Sequence, residues 1–185
     1  MSLDNERVLF YFRHRDQIEE WAGLRGEAAV AVDEWMTQLG PDVEELAQSL
    51  GTDVKVYERV GTEQTYPSFR LVRAAWGFGD TDDPPASISL QWVRARTTMY
   101  GTSTPYVGLQ APKSHAIGMT LRSLDALKQA RIARKDASSL WWAAYVYVPP
   151  PANFPASLDD YREVLIEALR AAWHVYAPFV PNPAP

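Results

Sequence analysis

Along this chain, apolar residues recur first at helical spacing and only later at the two-residue spacing of strands. Ile18, Trp21, Ala22, Ala28, Ala29, Val32, Trp35, Met36 and Leu39 share one stripe, interrupted by Arg25, while Glu20, Gly23, Glu27, Glu34 and Gln38 take the opposite face. That pattern predicts an amphipathic helix from about Asp16 to Leu39 whose stripe, Trp21 included, packs on a core. Asp16 followed by Glu19 has the form of a capping box, and Gly40-Pro41 supplies a stop. Pro41 suits the first position of a shorter helix with Val43, Leu46, Ala47 and Leu50 turned inward and Gly51 at its end.

Beyond Gly51 the period shortens. Val54 to Val60, Phe69 to Trp76, Ile88 to Arg96 and Pro105 to Gln110 are candidate strands separated by Gly, Pro, Asp and Thr clusters. Ile88, Leu90 and Trp92 share a face that continues into Arg94 and Arg96. Gly118 to Lys135 predicts a helix whose basic last turns complement its dipole. Leu140 to Val148, apolar on both faces, predicts an interior strand. The helix before it would then form a crossover, right-handed if the flanking strands are parallel. After Pro149 to Pro151 and Pro155, Ser157 can cap a final helix with Leu158, Tyr161, Leu165, Ala168, Leu169, Ala172 and Tyr176 toward the core. Pro178 ends that helix, and Pro181 to Pro185 forms a short extended tail. The order of elements predicts an α+β fold: a mainly antiparallel sheet of about five strands against a long N-terminal helix, a central crossover helix and a C-terminal helix.

Composition fits this picture. The 185 residues are 46% hydrophobic, enough for one sizeable core, and residues 1–185 are expected to form one domain. The absence of cysteine removes disulfides, thiolate metal sites and cysteine nucleophiles. The apolar run Val8 to Phe12 is too short for a signal-peptide core, and no stretch has the length of a membrane span, so a soluble cytoplasmic protein is the expectation.

Charge is segregated. Between Asp16 and Glu63 twelve acidic residues meet only Arg25, Lys55 and Arg59, a local net of −9; between Arg94 and Lys135 eight cations meet only Asp125, a net of +7. Such a division steers charged partners. Arg94, Arg96, Tyr100, Lys128, Arg131, Arg134 and Lys135 are therefore the candidate binding surface. The hydroxyls around Tyr100 would serve a nucleic-acid backbone, or the cations would face an acidic protein surface. Seven tryptophans and nine tyrosines are many for this length and suit partner-facing positions as well as a core.

Pro41-Asp42, ten residues, then Asp53-Val54-Lys55 resembles the PD-(D/E)xK nucleases. In that family two carboxylates hold a divalent metal and a lysine assists the attacking water. The resemblance implies Asp42, Asp53 and Lys55, with Glu58 as a possible substitute, as a nuclease site. The family's acidic pair lies on neighbouring strands, whereas Pro41-Asp42 begins a helix here, so helix-start and strand-start chemistry is the simpler account. Asp80, Asp82 and Asp83 lack the spaced ligands of a calcium loop and fit an exposed hairpin. Gly77-Phe78-Gly79 is too short for a phosphate cradle. His14, His115 and His174 have no metal-ligand spacing, and Ser114-His115 lacks a nucleophile elbow. With no catalytic set, cofactor motif or metal motif, the expectation is a non-catalytic interaction protein that binds a macromolecular partner or itself. A nucleic-acid-binding protein or nuclease is the first alternative, and a small-ligand enzyme assembled from distant residues is the second.

Overall fold

The structure, a computed structural model, describes residues 5–79, 83–94, 104–152 and 158–182. It is an α+β fold in which helices lie on one face of a five-stranded antiparallel sheet. The sheet is a meander: β1 (Val54–Arg59), β2 (Ser68–Arg73), β3 (Ser87–Gln91), β4 (Tyr106–Gln110) and β5 (Trp142–Tyr147) lie side by side in chain order. Strand alternation divides it. Phe69 and Leu71, Ile88 and Leu90, and Val107 and Leu109 send fully buried side chains to the helical side. There they meet α3 (Gly40–Leu50) and α6 (Leu158–Tyr176), which contributes Tyr161, Leu165, Leu169, Trp173 and Tyr176 to the same core.

Helix α2 (Arg15–Thr37) matches the expected long helix in length but not in burial. Only Ala29 and Met36 are buried in it, and Trp21 is 66% exposed. Its last turns are the anchored part. Trp35 stacks on Tyr161 with ring centroids 5.6 Å apart. The Trp92 indole N–H donates to Asp33 Oδ1 at 2.7 Å, and Arg94 Nε lies 3.2 Å from Asp33 Oδ2. Asp16 does not cap the helix, which begins at Arg15 behind His14 with no side-chain cap. The run Val8 to Phe12 belongs to a further helix, α1 (Glu6–Arg13), capped by Asn5 accepting from the Arg7 N–H at 3.0 Å.

The expected central helix is two helices, α4 (Ala116–Ser123) and α5 (Asp125–Arg134), broken where Leu124 adopts an extended conformation. β4 and β5 pair antiparallel, so the handedness rule for parallel crossovers does not apply. β5 is the last strand of the sheet rather than an interior one, and the bridge between Ala137 and Tyr145 protects its outer edge. Leu140 and Trp141 precede it and are exposed. β3 ends at Gln91, short of Arg94. Arg96, Tyr100, Asp80, Asp82, Ser157 and the tail beyond Asn182 lie outside the described residues. No helix among the described residues is long and apolar enough to cross a membrane.

Candidate functional site: an aromatic groove beside a basic hollow

The face of the sheet turned away from the helices is polar and aromatic, and its strand register assembles it. Arg59, Ser68, Gln91, Tyr106 and Tyr147 form one row across all five strands, and Tyr57, Arg70, Ser89, Gly108 and Tyr145 form the next. Above these rows opens a groove of about 760 Å³, walled by Glu63 to Tyr66 on the β1 side and by Ser139, Trp141 and Trp142 on the β5 side.

At the β1 end the groove carries paired charges held by hydrogen bonds. The Arg70 side chain is only 3% exposed. Its Nη1 donates to Asp83 Oδ1 and its Nε donates to Ser68 Oγ at 3.2 Å. Burial lowers the Arg70 pKa, and the Asp83 carboxylate opposes that fall. Arg59 also reaches Asp83, at 3.5 Å, and donates to Gln64 Oε1 at 2.9 Å. In the floor, Gln91 Nε2 donates to the Tyr106 hydroxyl at 2.7 Å, and Ser89 Oγ donates to Gln110 Oε1 at 3.3 Å. These floor groups satisfy one another, which fixes their rotamers and leaves a pre-formed surface.

At the β5 end the groove is aromatic. Tyr106 meets Trp142, Tyr145 and Tyr147 edge-on, with centroids 5.2, 5.9 and 5.8 Å away. Gly108 makes room for this cluster: a Cβ there would lie 2.1 Å from the Ala144 carbonyl oxygen. Burial raises the Tyr106 phenol pKa, with the neighbouring tyrosines Tyr66 and Tyr147 adding to the shift, so it serves as a neutral hydroxyl. Trp141, 62% exposed, and Tyr66, 54% exposed, stand on opposite walls.

Part of the expected basic surface lies next to this groove. Lys113, Arg122, Lys128 and Arg131 surround a second hollow of about 410 Å³. Its rim includes Ser139, which also lines the aromatic groove. Lys128 pairs with Asp125 at 2.8 Å and thereby lowers the Asp125 pKa. Arg131 donates to Ser138 Oγ at 3.1 Å. Arg122 donates to the carbonyls of Ala111, Gly118 and Ser139, tying the Ser139 segment to α4. The other described cations of that expected surface do not line the hollow. Arg134 pairs with the buried Asp136 at 3.2 Å, Lys135 ends α5 in a left-handed conformation, and Arg94 donates to the Val60 carbonyl besides pairing with Asp33.

The residues of the nuclease-like string lie in α3, in β1 and just before β1. Asp42 sits in the first turn of α3, 3.5 Å from Arg162 of α6. Asp53 precedes β1, where its carbonyl accepts from the Ala74 N–H. Lys55 and Glu58 fall on opposite sides of β1 by strand alternation. Among the described residues no group of three or more His, Asp or Glu side chains is placed to hold a metal ion.

Glu63 is the one carboxylate among the described lining residues of the groove, accepting from Gln64 at 3.0 Å, and no histidine lines it. Of its residues, only the general abundance of tryptophan and tyrosine was visible in the sequence. A sharper signal was the alternation of polar residues in Ser68-Phe-Arg70, Ser87-Ile-Ser-Leu-Gln91 and Tyr106-Val-Gly-Leu-Gln110, which marks a second sheet face that is polar yet enclosed. The chain matches no protein-family model, no curated protein and no solved structure.

Proposed function

We propose that this protein is a non-catalytic binding module whose partner is a protein with an acidic surface, held across the segment from Ser138 to Trp142. The observation that carries the proposal is the contiguity of two unlike surfaces. Ser139 belongs at once to a groove rimmed by Trp141, Tyr66 and Arg59 and to a hollow ringed by Lys113, Arg122, Lys128 and Arg131. Tryptophan, tyrosine and arginine are the residues that dominate protein-protein hot spots. The adjacent cations supply orientation and rate through long-range attraction.

The test is retention from a lysate of the source cells on immobilised full-length chain, compared among wild type, Trp141→Ala and the Lys128→Glu, Arg131→Glu double variant. One polypeptide held by wild type, released by salt and lost from both variants is the expected result. Equal retention by all three would overturn the reading. Labelled single-stranded and duplex oligonucleotides provide the competing arm: tight binding that the double variant loses would instead make this a nucleic-acid-binding protein. For the nuclease alternative, the place of Asp42 in the first turn of α3 rather than on a strand gives a direct expectation. Purified chain with magnesium leaves DNA and RNA intact, and cleavage abolished by both Asp53→Ala and Lys55→Ala would contradict it.

A further inference from the structure

Residues 5–28 contain no buried side chain. They form α1 and the first half of α2, an arm carried outside the core with Phe10, Phe12, Trp21 and Leu24 exposed. Water alone supports such an arm poorly. Most helix stability in proteins comes from packing an apolar face, and Gly23 and Gly26 each cost about 1 kcal/mol relative to alanine. The arm thus presents an unpartnered apolar face, and the spacing on α2 gives its pattern. Gln17, Trp21, Leu24, Ala28 and Ala31 follow one another at intervals of four and three residues, the seam of a heptad repeat. The seam is separate from the edge carrying Ala29 and Met36, the buried residues of α2.

We infer that this seam is covered by α2 of a second copy, in parallel orientation. The flanking charges select the occupant. On one side of the seam lie Glu20, Glu27 and Glu34, and on the other lie Ile18, Arg25 and Val32. In an antiparallel pair, rows of the same kind face each other, so the three glutamates would oppose glutamates. In a parallel pair, each residue of the first row faces the residue five positions later on the partner helix. Glu20 of each copy then meets Arg25 of the other, two ion pairs by symmetry, and the glutamate rows point apart. The contact is independent of the groove and the basic hollow, since no residue of the seam lines either.

Sedimentation of the full chain over a concentration series tests the association. The expected result is a reversible dimer that becomes monomeric in Trp21→Glu, Leu24→Glu, with the circular dichroism of the core retained. Glu20→Arg or Arg25→Glu alone weakens the dimer by about threefold to tenfold, and the combined exchange restores it. A monomer for wild type at millimolar chain overturns the inference. Because the protein has no cysteine, orientation is read from single introduced thiols. Gln17→Cys and Ala31→Cys each form a disulfide-linked homodimer if the helices are parallel. Failure of both to do so, together with cross-linking only in a mixture of the two, overturns the parallel arrangement. These outcomes leave the lysate experiment untouched, so failure of one reading is distinguishable from failure of the other.

Discussion

At the residue scale, single side chains decide how the helical layer and the sheet are joined. Asp33 near the end of α2 accepts from the Trp92 indole and pairs with Arg94. Trp92 is fully buried, so without that carboxylate its N–H loses its acceptor in the core. Asp33→Ala is expected to cost about 1 to 3 kcal/mol in urea unfolding. Asp33→Asn, which keeps an acceptor for the indole, should cost less; equal losses would show that charge rather than the indole bond matters. Gly108 acts by having no side chain, because the Ala144 carbonyl occupies the place of a Cβ. Gly108→Ala must therefore push β4 and β5 apart beneath the tyrosine cluster, at a cost of about 1 to 3 kcal/mol. A lowered urea midpoint together with a changed near-ultraviolet tyrosine signal would register both effects, and an unchanged midpoint would show that the sheet accommodates the methyl freely.

At the element scale, α2 is two objects in one helix, an anchored end and a free arm. Met36 is fully buried whereas Trp21 is exposed, so Met36→Ala should cost about 2 to 5 kcal/mol. Trp21→Ala should change the unfolding midpoint of the monomer by less than about 0.5 kcal/mol. Comparable losses in the two variants would place Trp21 in the core after all. The contrast shows where the sequence was legible. Helical spacing establishes which residues share a face, and the strands were found for the same reason, since Ile88, Leu90 and Trp92 alternate as the sheet requires. Spacing does not establish what a face meets: Trp21 and Ala29 belong to the one apolar stripe read from the sequence, yet only Ala29 is buried. The split at Leu124 was hidden because α4 and α5 both carry apolar residues at helical spacing across it. The groove was hidden for another reason. Each strand reveals its own alternation, but the row Arg59, Ser68, Gln91, Tyr106 and Tyr147 exists only once four separate registers are set.

At the scale of the whole molecule, buried phenols tie the layers together and give the fold a defined response to alkali. Tyr161 donates to the Val148 carbonyl at 2.6 Å, joining the start of α6 to the end of the sheet. Tyr176 donates to Asp136 at 2.6 Å, joining the end of α6 to the segment between α5 and β5. Tyr106 sits in the floor of the groove on the other face. Burial raises all three phenol pKa values above their ordinary level, and the Asp136 carboxylate raises that of Tyr176 further. A raised phenol pKa means that above about pH 10 the unfolded chain has released protons that the folded chain still holds. The folded state therefore binds more protons, stability falls as pH rises, and the contribution is fully present below the unfolded value. The urea midpoint should accordingly be steady toward neutral pH and drop steeply once pH passes about 10. Tyrosinate absorbance should rise together with loss of helical circular dichroism. Tyr161→Phe should be less stable at neutral pH, having lost a hydrogen bond to Val148, yet show a shallower alkaline decline because one of the three phenols is gone. Tyrosinate absorbance that rises fully while the helical signal persists would show that these hydroxyls ionise within the fold, and would sink their role as the alkaline limit.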